Sequence, residues 1–220
     1  MVTRGYPFGR SFPIDFQIYL EIDNPISFKI VLNSLNLQNQ NGGSLTDKRY
    51  EVAMKKVGLF YGSTSGKTRK VAELIKKELG TNSVDMHDIK HCKAEDILKY
   101  ENLILGTSAW GIGDMQDDWE TFIDDVVELD LSKKKIALFG LGDQEEYPGS
   151  FADGMGTLYC RMPVKENIVG FTSTEGYSYY FSSAEKDGKF VGLALDQDTQ
   201  PRKTPGRVRE WVTQLKKEFK

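Results

Sequence analysis

The sequence has few of the features that settle a protein's class at a glance. Only 2 of its 220 residues are cysteines, Cys92 and Cys160, and two thiols so far apart indicate reduced side chains in a cytoplasm rather than a disulfide framework. No apolar run approaches the roughly 18 residues that a membrane-spanning helix needs. The formal net charge is only −3, and no basic stripe is interleaved with aromatics, which argues against a nucleic-acid partner. We therefore predict a cytoplasmic globular protein.

Histidine is equally scarce. The 2 histidines, His87 and His91, stand four residues apart with Cys92 beside them. The glutamate of a zinc-protease helix is missing from this stretch, and the sequence places no fourth ligand nearby. We therefore predict no metal site.

The composition changes near residue 53. Before it, two runs alternate apolar and polar residues on either side of Asp23-Asn24-Pro25, a pattern that predicts two strands around a turn. The polar stretch at residues 36–51 then has the composition of a linker. We divide the chain into residues 1–53, an N-terminal extension to which we assign no role, and residues 54–220, a single folded domain.

After residue 53, apolar segments alternate with amphipathic ones. Strands are predicted at residues 57–61, 84–89, 102–107, 135–141 and 167–172, and helices around residues 71–79, 94–98, 119–127, 151–161 and 205–219. Repeated β-α units predict an α/β fold, in which a doubly wound parallel sheet carries helices on both faces.

The last strand of this pattern is interrupted. After Gly170 the chain carries residues 172–189, which are rich in Ser, Tyr and Gly, before an apolar run from Phe190 to Leu195. We interpret residues 172–189 as an insertion that splits the last strand. It is either a decorative hairpin or part of a surface that contacts a partner.

A loop rich in hydroxyl side chains, Gly62-Ser63-Thr64-Ser65-Gly66-Lys67-Thr68, follows the first of these strands. A loop that wraps the phosphates of ATP needs four residues between its first glycine and the Gly-Lys pair, whereas Gly62 leaves only three. This tighter loop suits a single phosphate, bound by N–H groups and hydroxyls at a helix N-terminus. The plain alternative is a turn whose hydroxyls only cap the helix.

Two further loops are predicted at the carboxyl ends of the strands, where open parallel sheets bind their ligands. Residues 107–114 carry Trp110, and residues 140–151 carry Tyr147, each among glycines and acids. Aromatic side chains at loop tips are useful where a flat ring lies between them. A phosphate at one end of a site and a planar ring at the other outline flavin mononucleotide (FMN).

From Lys55 to Lys220 the sequence resembles the flavodoxins, in particular the long-chain group with a split fifth strand. Four segments carry the resemblance: STSGKT at residues 63–68, WGIG at 110–113, GDQ at 142–144 with Tyr147, and FVGLALD at 190–196. The resemblance implies a flavodoxin-like five-stranded parallel sheet in the order 2-1-3-4-5. It also implies bound FMN and a low-potential one-electron carrier, not an enzyme.

The resemblance further implies which residues bind the cofactor. They are Ser63, Thr64, Ser65, Gly66, Lys67, Thr68, Ser108, Ala109, Trp110, Gly111, Ile112, Gly113, Gly142, Asp143, Tyr147, Ser150, Phe151 and Asp198. Residues 63–68 and Ser108 would bind the phosphate, and Trp110 and Tyr147 would cover the two faces of the isoalloxazine. Residues 111–113 would meet the flavin N5 edge, residues 143–151 the pyrimidine edge, and Asp198 the ribityl chain.

The sequence departs from the usual flavodoxin pattern at three positions. Ala109 lacks the hydroxyl that flavodoxins often carry just before this tryptophan, which would weaken phosphate binding slightly. Ser150 stands where asparagine is common. Lys67 adds a charge to the phosphate loop, and we expect its side chain to point into solvent.

An acidic stretch follows the tryptophan loop. Its members, with no Lys or Arg among them, are Asp114, Asp117, Asp118, Glu120, Asp124, Asp125, Glu128 and Asp130. We expect a monomer that docks redox proteins here, such as a ferredoxin/flavodoxin-NADP reductase or an oxidoreductase acceptor. The alternative is a solvated helix face.

The rival function is that of a flavodoxin-like NAD(P)H-dependent quinone or flavin reductase. Such an enzyme needs space for a second substrate over the flavin. Because Trp110 and Tyr147 are expected to stack there, the sequence favours the carrier.

Overall fold

The computed structural model describes residues 16–24, 27–34, 56–111 and 113–219. The chain divides into two compact units, Met1–Ala53 and Met54–Lys220. In the first unit, strand β1 (Phe16–Asn24) pairs antiparallel with β2 (Ser27–Ser34). The predicted linker at residues 36–51 lies outside the described residues.

The second unit alternates strands and helices. Its strands are β3 (Val57–Tyr61), β4 (Val84–Asp88), β5 (Asn102–Trp110), β6 (Asp114–Met115), β7 (Lys135–Gly142), β8 (Ile168–Val169), β9 (Thr172–Ser173), β10 (Glu185–Lys186), β11 (Lys189–Phe190) and β12 (Leu193–Asp196). Its α-helices are α1 (Lys67–Leu79), α2 (Asp117–Val127), α3 (Asp153–Arg161) and α4 (Thr204–Glu218). Short 3₁₀ turns occupy Ile89–His91, Ala94–Lys99, Lys165–Asn167 and Pro201–Lys203.

The main sheet confirms the predicted order. Its strands run β4-β3-β5-β7-β12, all parallel, which is 2-1-3-4-5 in chain order. The continuous apolar run of β3 predicts a strand that is covered on both faces, and β3 is buried along its whole length. The order reverses next to β3, so the loops after β3 and β5 open at the sheet's switch point.

Two apolar layers hold the helices against the sheet. Side chains such as Phe60 and Leu103 form one layer with α2 and α3, and their neighbours Leu59 and Ile104 form the other with α1 and α4. Adjacent strand residues serve opposite layers because successive side chains point to opposite faces. None of the helices in the described parts of the chain has the length and apolar character of a membrane span.

The insertion prediction is confirmed, with a shifted boundary. Strand β8 pairs with β7 and ends at Val169; then β9, β10 and β11 form a separate antiparallel sheet before β12 resumes beside β7. Phe190, predicted at the start of the last strand, belongs instead to this small sheet. Its ring packs against those of Phe151 and Tyr177, with centroids 5.9 and 5.3 Å away, so burial in that cluster decides its place.

A short network of hydrogen bonds connects His87, on β4, to its neighbours. Its ring stacks on Phe60 at 4.6 Å, its Nε2 lies 2.8 Å from the Tyr100 hydroxyl, and that hydroxyl donates to Asp85. Because Tyr100 gives its proton to the carboxylate, Nε2 of His87 is the donor to the Tyr100 oxygen. Burial lowers the pKa of His87 below its usual 6.5, despite the nearby Asp85.

Acidification through the histidine range is expected to destabilise the chain. The unfolded state binds the proton of His87 at about pH 6.5 and the folded state only at lower pH, so the free energy of unfolding falls below that pH. Urea unfolding between about pH 7 and pH 5 measures the slope. In His87→Gln, which keeps a donor toward Tyr100, the slope is expected to be shallower; an unchanged slope would contradict the assignment.

Candidate functional site

The loops after β3, β5, β7 and β12 surround a cavity of about 350 Å³. It is lined by Ser65, Lys67, Ser108, Ala109, Trp110, Gly111, Leu141, Gly142, Asp143, Tyr147, Ser150 and Asp198. All of these except Leu141 are predicted site residues. The structure therefore brings together residues up to 133 positions apart in sequence, from 65 to 198, because the carboxyl ends of parallel strands share one edge of the sheet.

The phosphate loop, residues 62–68, leads directly into α1. Gly66 is the N-cap, in the left-handed region at φ +84, where glycine carries no steric cost. The Ser63 hydroxyl oxygen accepts from the N–H groups of Gly66 at 3.1 Å and Arg69 at 3.4 Å. With its acceptor role filled in this way, the Ser63 O–H is free to donate elsewhere. The first N–H groups of α1 also have no partner within the helix, so the loop presents donors to an anion.

The Lys67 side chain is exposed, in keeping with the prediction that it points into solvent, but it also contacts the opposite loop. Its ammonium forms an ion pair with the carboxylate of Asp198, in the loop after β12, and so bridges two sides of the cavity mouth. The reason is proximity, because parallel strands β3 and β12 end at the same edge. The Lys67 side chain is 48% exposed and the Asp198 side chain is 41% exposed. An ion pair that is so accessible to water adds little to stability.

Trp110 and Tyr147 both line the cavity, and both keep large exposed surfaces of 43% and 47%. Trp110 ends β5, and a tight turn follows in which Gly113 N–H donates to the Trp110 carbonyl at 3.0 Å. Gly111 and Gly113 have positive φ angles of 51 and 104, which only glycine adopts readily. The Trp110 indole N–H donates to the Ser108 hydroxyl oxygen at 3.0 Å, which leaves the Ser108 proton free.

Hydrogen bonds brace the loop that carries Tyr147. The Asp143 carboxylate accepts from the N–H groups of Glu145 and Glu146, both at 3.0 Å. From the insertion, Tyr180 and Phe181 both donate their N–H groups to the Pro148 carbonyl, at 2.7 and 3.1 Å. The insertion thus supports the wall of the cavity.

A buried carboxylate, missed in the sequence, ties this loop to the loop of Asp198. Asp196 accepts from Gln144 Nε2 at 2.9 Å, from Thr199 N–H at 2.7 Å and from Asp198 N–H at 2.9 Å. Burial by itself would raise the pKa of Asp196, but the hydrogen bonds from Thr199, Gln144 and Asp198 outweigh it and lower the pKa. The sequence contains one signal for this role, since Asp196 is an acid at the end of an apolar strand.

Several predicted site residues lie outside the cavity lining. Ser63, Thr64 and Gly66 belong to the phosphate loop just beyond it, whereas Thr68 is buried beneath that loop and Gly113 packs against Asp153. The Phe151 side chain is fully buried in the core, stacked on Tyr179 at 5.5 Å. Ile112 lies outside the described residues.

The acidic stretch, residues 114–130, includes helix α2. Of its eight acids, Asp118 is half-buried and the others are exposed. Asp124 forms an ion pair with Arg161, which partly neutralises one member. The remaining carboxylates give the surface of this stretch a negative potential.

Comparison with known proteins gives the family. The model of the family described as Flavodoxin matches residues 59–211. A flavodoxin of Synechocystis sp. is 47% identical over 165 residues, which cover 74% of this chain and 97% of that protein. A flavodoxin of Nostoc sp. is 43% identical over 166 residues, covering 75% and 98%.

Comparison with solved structures leads to the same family. The crystal structure of Fusobacterium nucleatum flavodoxin bound to flavin mononucleotide is similar with a TM-score of 0.71 and 37% identity, covering 76% of this chain and all of that one (100%). The oxidised Flavodoxin 2 of Bacillus cereus reaches 0.55 at 25% identity, covering 74% and 99%. The parallel α/β fold of residues 54–220 accords with these matches. The chain belongs to the flavodoxin family.

Proposed function

We propose that this chain binds FMN non-covalently and works as a low-potential one-electron carrier between redox enzymes. The observation that carries the proposal is one cavity lined both by the hydroxyl-rich loop, through Ser65 and Lys67, and by the rings of Trp110 and Tyr147. Its size, about 350 Å³, falls within the roughly 300–1,000 Å³ of cofactor pockets. The FMN-bound Fusobacterium nucleatum relative supports the same cofactor. When bound, FMN supplies a centre that takes up and returns single electrons.

The donors of the phosphate loop fit a phosphate group. The Ser63 and Ser108 hydroxyls each accept from an N–H group, so their protons remain available to phosphate oxygens. The N-terminus of α1 adds its dipole. Lys67 also lines this end, and it would turn from Asp198 toward the phosphate with little loss because their ion pair is half-exposed.

Stepwise reduction of the purified chain tests this function. Added FMN should be retained, and its visible spectrum should change in two separate one-electron steps as a strong reductant is titrated. NADPH alone should leave the spectrum unchanged over minutes, because a carrier needs a separate donor. A chain that retains no FMN, or one that NADPH bleaches rapidly, would contradict the proposal.

Gly111 is expected to help separate the two reduction steps. The turn after Trp110 holds it at φ +51, and its peptide groups face the cavity beside the position proposed for the flavin N5 edge. The first electron brings a proton to flavin N5, and a carbonyl of this turn would accept a hydrogen bond from it. A β-branched residue at a positive φ costs about 1–3 kcal/mol, so Gly111→Val is expected to disfavour the turn geometry that supplies this acceptor. The gap between the two midpoint potentials should narrow by about 60 mV or more, since 59 mV corresponds to about 1.4 kcal/mol for one electron.

A redox titration with FMN bound measures both potentials. Gly206→Ala is a suitable control, because Gly206 lies on α4 with open space around the Cβ position. An unchanged gap in Gly111→Val would remove this role for the turn.

We also propose that the acidic stretch docks a basic redox partner, a ferredoxin/flavodoxin-NADP reductase or an oxidoreductase acceptor. The exposed acids support this, as does the absence of Lys and Arg between residues 114 and 130. We further propose that the protein is a monomer and that it is cytoplasmic, the latter in keeping with the free thiols of Cys92 and Cys160.

Electron transfer to such a partner is expected to slow by about tenfold or more as salt rises from about 0.1 M to 1 M, because screening shortens from about 10 Å to 3 Å. The double variant Asp125→Asn/Glu128→Gln should flatten this dependence. Glu166→Gln, an exposed acid elsewhere, provides the charge control. If electron-transfer rates measured by stopped flow do not change with ionic strength, the proposal that this stretch docks the partner is contradicted.

A further inference from the structure

Gln116 joins the phosphate loop to helix α2. It is the N-cap of α2 and only 2% exposed. Its side-chain amide Nε2 donates to the Thr64 hydroxyl oxygen at 3.3 Å and to the Asp118 carboxylate at 2.7 Å. Its Oε1 is buried, and among the described residues it has no hydrogen-bond partner.

Asp118 determines which way this amide faces. An ionised carboxylate can only accept hydrogen bonds, so the NH₂ group of Gln116, not its oxygen, must lie on the side of Asp118. Thr64 is on the same side, so its hydroxyl oxygen accepts from the NH₂ group. The Thr64 proton is therefore directed away from Gln116. The opposite orientation of the amide would let Gln116 Oε1 take that proton.

This orientation has a cost that folding alone does not explain. A buried acceptor without a partner costs about 1–3 kcal/mol, and Oε1 of Gln116 is such an acceptor. The neighbouring wall is closed, since a Cβ on Gly62 would lie 2.0 Å from Oε1. A methionine of similar shape would leave no unsatisfied oxygen, so any advantage of the amide lies in what its NH₂ group does.

We propose that Gln116, with its orientation set by Asp118, is a positioning residue of the phosphate site. It holds Thr64 as a hydrogen-bond donor toward the phosphate of FMN. This inference rests on the proposed function. In this arrangement Thr64 matches Ser63 and Ser108, whose hydroxyl oxygens also accept from N–H groups.

Removal of the Asp118 carboxylate distinguishes this role from simple electrostatics. If charge alone mattered, Asp118→Ala and Asp117→Ala would both bind FMN more tightly, because each removes a negative charge near a dianion. We expect Asp118→Ala to bind FMN about fivefold more weakly than Asp117→Ala, the effect of one hydrogen bond. Equal affinities, or tighter binding by Asp118→Ala, would overturn the proposal.

A double-mutant cycle tests the connection through Thr64. Gln116→Met is expected to weaken FMN binding about fivefold, but to have little further effect once Thr64→Val has removed the hydroxyl. Riboflavin, which has no phosphate, should bind wild type and Gln116→Met equally well. Fluorescence titration of the FMN-depleted chain gives all affinities, and urea unfolding of the same samples records any loss of stability separately.

The outcomes separate the two levels of inference. If wild type does not prefer FMN to riboflavin, the proposed phosphate site itself fails. If it does prefer FMN, and Gln116→Met keeps that preference or adds independently to Thr64→Val, only the role of Gln116 fails. Should Gln116→Met not fold, the comparison of the Asp118 and Asp117 variants decides alone.

Discussion

Ser65→Asp is expected to weaken FMN binding by about two to three orders of magnitude. Ser65 lines the cavity, at the end where we propose the phosphate binds, and is exposed. A carboxylate about 4 Å from a phosphate charge costs about 4 kcal/mol at an effective dielectric near 20, and about 1.4 kcal/mol corresponds to tenfold in affinity. Riboflavin carries no phosphate, so its affinity should change little. Titration of the FMN-depleted chain with each flavin measures both.

Ser65→Asn is the matched control, because asparagine has nearly the same size as aspartate but carries no charge. Its FMN affinity should stay within several-fold of wild type. The aspartate also stands beside the N-terminus of α1, where a negative charge is favourable by about 0.3–1 kcal/mol. The ligand-free Ser65→Asp chain should therefore be no less stable than wild type. A parallel loss of riboflavin binding would place the phosphate elsewhere.

Phe151→Ala is expected to lower the free energy of unfolding by about 3–5 kcal/mol, the usual cost of removing a buried phenyl ring. The ring is fully buried and contacts the rings of Tyr177, Tyr179 and Phe190 at centroid distances of 5.3, 5.5 and 5.9 Å. It thus joins the loop of Tyr147 to the insertion. Urea unfolding with an unchanged m value measures the loss.

Tyr180→Ala provides the contrast. Tyr180 lies in the same insertion but its side chain is 89% exposed, so the free energy of unfolding should change by no more than about 0.5 kcal/mol. Phe151→Leu, which keeps most of the apolar volume, should fall between the two. A small effect of Phe151→Ala would mean that the aromatic cluster is not a rigid part of the core.

The strands of the main sheet and its helices follow from local patterns, whereas the order of the strands is implied only by the resemblance to the flavodoxins. Continuous apolar runs such as Val57–Tyr61 predict buried parallel strands, and apolar residues at helical spacing, such as Val71 and Ile75, predict the helices between them. Because all carboxyl ends meet at one edge, the same patterns place Trp110 and Tyr147 at a common site. What is local in the sequence is therefore predictable.

Features that depend on contacts between residues far apart in the sequence could not be predicted in this way. Lys67 pairs with Asp198, and nothing near either residue in the sequence indicates the other. Phe190 continues an apolar run into the last strand, but the aromatic cluster of the insertion holds it in another sheet. The burial of Phe151 under the Tyr147 loop likewise depends on rings that lie more than 25 residues away in sequence.

Strand β4 forms one end of the main sheet, and its composition has a consequence for the protein's behaviour in concentrated solution. Only Val84 of its five residues is buried, and the others include Asp85, which pairs with Lys56 at 3.2 Å. The unpaired backbone groups of an edge strand can recruit a second chain and begin aggregation. A second copy added at this strand would have to desolvate the charged groups of Lys56, Asp85 and Asp88, and this cost opposes the growth of a continuous intermolecular sheet.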